Sequence, residues 1–330
     1  MKARAIVHEA PNQVGLQEFE LRDPGPAEVL VAARYTCVSP GTELRCLAGK
    51  QPDAVPFPYL PGYSMAGEIL QAGPESGRTP GERVYLNGTA HGGHLGLQWG
   101  GHASHAVAQG AECIPVPPGL DLCTASLAHL AAIALNGVQV AKPVLGETVA
   151  VVGLGVIGQL CARLYAAAGC RVVAADRAPS RVQCAAAAGL QAVLVEGTLP
   201  QAMSQVLPEG ADIVVDATGA PAAFAEALAL AREVPWGDPA VAGPRYVVQG
   251  SYPDVFCVPY QAAFRKELTI LIPRDCRPSQ RRQALEMLAD GRLSAAGLIS
   301  RVCAPEEAPD IYRTLADPSG GLLTAAFQWQ

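Results

Sequence analysis

Thr148-Val149-Ala150-Val151-Val152-Gly153-Leu154-Gly155-Val156-Ile157-Gly158 is the stretch whose reading decides the fold. Its first five residues form an uninterrupted β-prone run, as a strand buried on both faces of a parallel sheet requires. Three glycines follow at G-x-G-x-x-G spacing, and a helical pattern runs from Ile157 to Ala168. The next strand-like run is Arg171 to Ala175, and Asp176 stands at its end, eighteen residues after Gly158. Each part has a role in holding a dinucleotide. The first glycine permits a tight turn, the second lets a pyrophosphate approach the backbone, and the third lets helix and strand pack closely. Val156 and Ile157 open the helix, whose N-terminal N–H groups face the phosphates. An acid at the tip of the second strand binds the adenosine ribose hydroxyls. Asp176 repels a 2′-phosphate and so favours NAD over NADP. Arg177 and Arg181 stand at the same corner and could reach a phosphate, which keeps NADP open.

Working outward, strand and helix patterns alternate from Leu120 to about Leu271. Asp212–Asp216 and Arg245–Gln249 continue the strand series, which predicts a doubly wound parallel α/β sheet. Residues 1 to about 118 read differently. Short alternating runs (Ala3–Val7, Glu28–Ala33, Arg83–Leu86) are separated by turn signals such as Asp23-Pro24-Gly25-Pro26, predicting a β-rich, barrel-like domain. The tail carries a helix over Ser279–Ala289, a strand at Ile299–Val302, a helix near Glu306–Leu315 and a strand at Ala325–Trp329. It is too short for a domain of its own and is expected to pack on the N-terminal one. The expected domains are 1–129 with 273–330, and 130–272. Glu233–Pro239 reads as a surface loop.

Composition narrows the function. The chain has 330 residues, 50% hydrophobic and 16% charged, with a formal net charge of -6. An acidic chain without a basic stripe is not expected to bind nucleic acid. The densest basic cluster, Arg274, Arg277, Arg281 and Arg282, reads as a solvated helix start. Met1 to His8 is charged and lacks the apolar core of a signal peptide. The most apolar stretch, Cys123–Ala141, is interrupted by polar residues and reads as a packed helix. A cytoplasmic protein with no membrane partner is expected. The ten cysteines include no C-x-x-C and are read as reduced, mostly buried residues.

The chain resembles the medium-chain dehydrogenase/reductase superfamily, the zinc-type alcohol dehydrogenase-like proteins, over essentially its whole length. The resemblance is carried by Gly41-Thr42-Glu43, Pro61-Gly62-Tyr63-Ser64-Met65-Ala66-Gly67-Glu68 and Pro80-Gly81-Glu82-Arg83-Val84. Gly100-Gly101-His102-Ala103-Ser104-His105 and Ile114–Leu120 add to it, as do the glycine motif, Asp216-Ala217-Thr218-Gly219 and Gln249-Gly250-Ser251-Tyr252. It implies a GroES-like β-barrel domain plus a Rossmann domain, with the active site in the cleft between them. It also implies cofactor contacts from Ala217, Thr218, Gly219, Gly250 and Ser251, with Gln249–Tyr252 similar to the family's strand end beside the nicotinamide. A homodimer joined through the last strands of the Rossmann sheets, near Leu268–Pro273, is implied as well.

The zinc ligands of the family are missing at their usual places. The first ligand position is Pro40 and the second is Tyr63, while the third aligns roughly with His129. The structural zinc lobe should follow Val84, but Tyr85–Trp99 contains no Cys. The pattern is similar to a ligand-lacking branch near the hydroxyethyl-chlorin dehydrogenases. No zinc is therefore expected. Without it, a hydrogen-bonding side chain must polarise the reacting oxygen. Thr42 matches the family's proton-relay hydroxyl, Tyr63 replaces a metal ligand, His129 is a candidate acid–base, and Glu43 matches an orienting acid. Each has an ordinary alternative: a turn hydroxyl, a packed aromatic, a core histidine. Ser39, Asn87, Thr89 and His91 are candidate pocket residues for a small-molecule substrate. His91 and His94 make a weak metal pattern on a glycine-rich loop. His102 and His105, three apart on a strand-like segment, point to opposite faces.

The expected function is a zinc-independent, NAD(H)-linked interconversion of a secondary alcohol and a ketone. The alternatives are an NADPH-dependent double-bond reductase and a dinucleotide-binding protein without turnover.

Overall fold

A computed structural model describes every residue except 53, 238–241, 253–254, 318–320 and 330. The chain divides into two compact units. Unit 1 comprises Met1–His129, Arg281–Gly291 and Ile299–Gln330, and unit 2 comprises Leu130–Gln280 and Arg292–Leu298. Unit 1 opens with an antiparallel hairpin of β1 (Lys2–Ala10) and β2 (Gln13–Glu20). Asn12 takes φ 60° in the connecting turn, where Asn is tolerated. β3 (Glu28–Cys37) leads through Ser39 into helix α1 (Pro40–Leu47), which starts with Pro at its first position. β4 (Tyr59–Leu60), β5 (Met65–Ala72), β6 (Arg83–Leu86), β7 (Gly96–Leu97), β8 (His105–Gln109), β9 (Ile114–Pro115) and α2 (Leu122–Ala125) follow. The segment read as one helix over Cys123–Ala141 is two. Asp121 caps α2 by accepting the Thr124 N–H at 2.8 Å, and a separate helix α3 spans Ala128–Ala141.

Unit 2 contains β10 (Thr148–Val152), α4 (Val156–Ala167), β11 (Arg171–Asp176), α5 (Pro179–Ala187), β12 (Gln191–Leu194) and α6 (Leu199–Met203). β13 (Ile213–Asp216), α7 (Pro221–Ala229), β14 (Arg245–Val248), α8 (Tyr260–Arg265) and β15 (Thr269–Leu271) complete the series. The sheet order is β12-β11-β10-β13-β14-β15, every pairing is parallel, and the chain reverses direction across the sheet at β10. This is the doubly wound order. Val149, Ala150 and Val151 are fully buried, as that position demands. A core of Phe224, Tyr246, Val214, Ala150 and their neighbours fills one face. The expected loop over Glu233–Pro239 lies partly outside the described residues.

The tail supplies α9 (Pro278–Ala289), β16 (Ile299–Cys303), α10 (Ala308–Ala316) and β17 (Thr324–Gln328). β17 pairs antiparallel with β3, so the last strand joins the seven-stranded sheet of unit 1, while residues 273–280 and 292–298 group with unit 2. The closed barrel is not what the described residues form. Their strands lie in a four-stranded sheet, β2-β1-β4-β7, and a seven-stranded sheet, β16-β17-β3-β5-β6-β9, with β8 also on β3. The two meet through one bridge, Ala5–Ala103. Closure fails because β4, β7 and β9 are two residues long and register shifts interrupt the β3–β5 ladder.

A polar network runs through the unit 1 core. The Glu43 side chain is fully buried; it accepts from Ser39 N–H at 2.7 Å, His102 Nε2 at 2.9 Å and the Tyr312 hydroxyl. His102 Nδ1 meets Thr36 Oγ1 at 2.8 Å, and Trp329 Nε1–H donates to the same oxygen at 3.0 Å. Burial opposes ionisation of Glu43. His102 and the donors outweigh it and hold the carboxyl below the usual range. His8, also fully buried, contacts the Tyr59 hydroxyl through Nδ1 at 3.2 Å. Burial lowers its pKa from 6.5 to about 4, with nearby Glu43 pulling upward and His102 downward.

The folded form therefore resists protonation of His8 between pH 6.5 and about 4, whereas the unfolded chain does not. His8 contributes stability that is fully present above pH 6.5 and is lost as pH falls toward 4, about 3 kcal/mol in all. Urea titrations across this range are expected to show that slope in the native chain. His8→Asn is expected to flatten it, and an unchanged slope would refute the assignment.

Candidate active site

In unit 2 the glycine turn joins β10 to α4. A Cβ on Gly158 would lie 1.7 Å from the Gly153 carbonyl oxygen, so only glycine lets the helix approach the turn. A Cβ on Gly155 would meet no atom within 4 Å, which leaves the approach to the helix N-terminus open. Gly155 caps α4, and Val156 and Ile157 form its first turn. This is the cradle an anionic diphosphate needs. At the tip of β11, Asp176 accepts Leu154 N–H at 2.6 Å and Ala178 N–H at 2.8 Å, and Arg181 Nη1 lies 3.6 Å from its carboxylate. Arg181 is thus an ion-pair partner of Asp176, while Arg177 is exposed. Past β13, Thr218 donates its N–H and hydroxyl to Asp216 Oδ1 at 2.9 and 2.6 Å. Asp216 also accepts from the Tyr246 hydroxyl at 2.9 Å and from that of Tyr252. The Gly250 N–H donates to the Asp216 carbonyl at 2.7 Å, which draws Ala217, Thr218, Gly219, Gly250 and Ser251 together at one end of the sheet.

In unit 1 a second group forms around Tyr63. Its hydroxyl donates to Ser39 Oγ at 2.5 Å, and its ring packs 4.7 Å from the His129 ring and edge-on to Trp99 at 5.1 Å. His129 Nδ1 lies 3.3 Å from Asn87 Oδ1, which also accepts from Arg281 Nη1. An amide oxygen only accepts, so this contact places a proton on His129 Nδ1. Ser39, Tyr63, Asn87 and His129 are therefore one contiguous set. Thr42 lies half-buried in the first turn of α1, and Glu43 turns into the core beneath it.

Other candidates are engaged elsewhere. The Thr89 hydroxyl bonds the backbone of His91 and Val107. The His91 ring sits between Arg22 Nη2 at 2.6 Å and Glu28 Oε1 at 3.3 Å. Glu28 is itself held at a pKa of about 2, first by the Gly25 N–H and then by Arg22 and His91 against the cost of burial. His91 thus braces a turn. Six cysteines are buried, and burial lifts the thiols of Cys37, Cys46 and Cys113 to about 12.

Two readings need correction. Arg281 does not belong to a solvated helix start. The backbone carries α9 past Asn87, and the guanidinium is half-buried against it. His102 is not a strand residue paired in pattern with His105. It precedes β8 and is completely buried on Glu43. Tyr312 was invisible as a partner because 269 residues separate it from Glu43. A cation in the first turn of a helix, against the dipole, was the available signal for Arg281.

The positions that match the family's zinc ligands do not make the usual site. Pro40 offers no side-chain donor atom, and the Tyr63 hydroxyl is bonded to Ser39. Zinc takes thiolate, imidazole and carboxylate ligands, normally three or four together.

The family described as alcohol dehydrogenase GroES-like domain matches residues 25–118, and that described as zinc-binding dehydrogenase matches 156–290. The chain is 28% identical to a 2-desacetyl-2-hydroxyethyl bacteriochlorophyllide A dehydrogenase of Cereibacter sphaeroides, over 96% of each chain. Among solved structures, one described as a zinc-binding dehydrogenase of Sinorhizobium meliloti bound to NADP superposes with a TM-score of 0.82 at 22% identity, covering 99% of both chains. An alcohol dehydrogenase of Escherichia coli complexed with NADH gives 0.82 at 21%, again over 99% of each. The chain belongs to the zinc-type alcohol dehydrogenase-like, medium-chain dehydrogenase/reductase superfamily of oxidoreductases.

Proposed function

We propose that this chain interconverts a secondary alcohol and a ketone with NAD(H) and without zinc. The observation that carries this reading is the Tyr63–Ser39 hydroxyl pair, which stands where the family places metal ligands. The nicotinamide supplies the hydride chemistry when bound. The chain's own groups must hold the carbinol oxygen and manage its proton. Tyr63 O–H and Ser39 Oγ form a polar pair able to bond that oxygen, and the Tyr63 ring lies against His129. His129, with Nδ1 toward Asn87, is the imidazole proposed to take a proton during oxidation or give it during reduction. Thr42 is the second relay hydroxyl in this scheme, and Glu43 positions the turn that carries Ser39. The bacteriochlorophyllide relative, by name a dehydrogenase of a hydroxyethyl compound, supports an alcohol as the group oxidised.

NAD is proposed because Asp176 occupies the ribose corner. The Arg181 ion pair partly offsets its charge and supports NADP(H) as a second reading. We further propose a cytoplasmic homodimer. β15 is an edge strand, and Ile272, Tyr260 and Trp236 near it are 66%, 69% and 87% exposed.

Elemental mass spectrometry of protein purified without added zinc is expected to find almost none, with alcohol-dependent reduction of NAD intact. About one zinc per chain would overturn the zinc-free mechanism and make His129 the first residue to replace. Tyr63→Phe is expected to lower kcat by about 100-fold with NADH affinity unchanged, the size of a lost proton-transfer or polarising contact. An unaltered kcat would remove Tyr63 from the mechanism. NADH is expected to bind at least ~10-fold more tightly than NADPH, a preference that Asp176→Ala should erase; tighter NADPH binding would select the second reading. Light scattering is expected to give twice the chain mass, and a monomer for Ile272→Asp. A monomeric native chain would rule out the dimer.

A further inference from the structure

Arg281 lies in the first turn of α9, the end of the helix that already carries positive dipole character. No acidic residue stands in that turn to offset it. The guanidinium is half-buried, yet no described carboxylate pairs with it. Its Nη1 donates to the neutral Asn87 amide, and its buried Nε–H has no partner among the described residues. Among the other partly buried or buried arginines, Arg181, Arg232 and Arg245 each reach a carboxylate, whereas Arg83 and Arg163 are held by backbone carbonyls and, for Arg163, also by the Cys184 thiol. A guanidinium offers five donors and stays charged, so a half-buried one with a single neutral acceptor retains donors that an anion would complete. That anion would sit beside the set Asn87, His129, Tyr63 and Ser39.

We propose that Arg281 is a substrate-binding residue that seats a carboxylate, so that the substrate is an acid-bearing alcohol or ketone. This rests on reading the Tyr63 group as the place where the carbinol is held. The planar fork of Arg281 suits a carboxylate, and charge-assisted bonds of this kind are about twice as strong as neutral ones. Asn87 holds the guanidinium and the His129 ring through one oxygen, and so sets the spacing between the acid group and the reacting carbon.

Binding, not turnover, tests it. Calorimetry of the full chain, with and without NADH, would compare 3-phenylpropionate with its amide. The acid is expected to bind about 10-fold or more tightly. Arg281→Gln should bring the ratio near one, and Arg281→Lys, which keeps a point charge, should retain part of it. Equal affinities in the native chain, no binding of the acid, or an unchanged ratio in Arg281→Gln would each overturn the proposal. So would an Arg281→Gln variant that loses NADH affinity while keeping the acid preference, because the anion would then be a cofactor phosphate. Should Arg281→Gln fail to fold, the Lys variant and the loss of acid preference at high salt decide. A failure of the zinc-free mechanism would show in metal content and in Tyr63→Phe and leave the acid-to-amide ratio intact.

Discussion

The Glu43 carboxylate is the constraint around which unit 1 is arranged. A fully buried carboxylate is tolerable only with a counter-charge and donors on its lone pairs. The chain supplies the donors from the turn just before Glu43 and from two distant segments brought to the same point. Ser39 N–H comes from the turn after β3, His102 from the approach to β8, and the Tyr312 hydroxyl from α10 near the C-terminus. His102 in turn packs so closely on Gly62 that a Cβ there would lie 2.5 Å from its ring. Gly62 precedes Tyr63, so one buried charge locates both partners of the Ser39–Tyr63 hydroxyl pair. A lost donor would leave an unsatisfied acceptor costing about 1–3 kcal/mol, and it would also loosen that pair.

Unit 2 is governed by a steric constraint. The contact of α4 with the turn after β10 is too close for any side chain at Gly158, and the adjoining Gly155 leaves its own Cβ space empty. Proximity brings the helix dipole to bear, and the open space admits a ligand. Asp216 plays there a part like that of Glu43. Buried and bonded by Thr218, Tyr246 and Tyr252, it ties the turns after β13 and β14 together. Both units thus place a polar site above a buried, fully engaged carboxylate.

Much of this was legible in the residues. Local pattern determined the parallel strands, the glycine turn and Asp176 at the strand tip, because backbone geometry and period-two or helical burial act over a few residues. The replacement of metal ligands by Pro40 and Tyr63 could also be read directly. What Tyr63 does in their place could not, since its partner Ser39 is 24 residues away.

Tertiary structure alone decided the electrostatics. Which acid meets which histidine, whether Arg281 is solvated or half-buried, and whether His91 braces a turn or faces a substrate all depend on contacts between segments far apart in the chain. Glu43 and Tyr312 are 269 residues apart, Asn87 and Arg281 194. A charge's energy is set by the dielectric and the neighbours around it, and neither is encoded in its local sequence. The two sheets of unit 1 are a similar case. Their strands were predictable one by one, but closure depends on strand length and register summed around the whole unit.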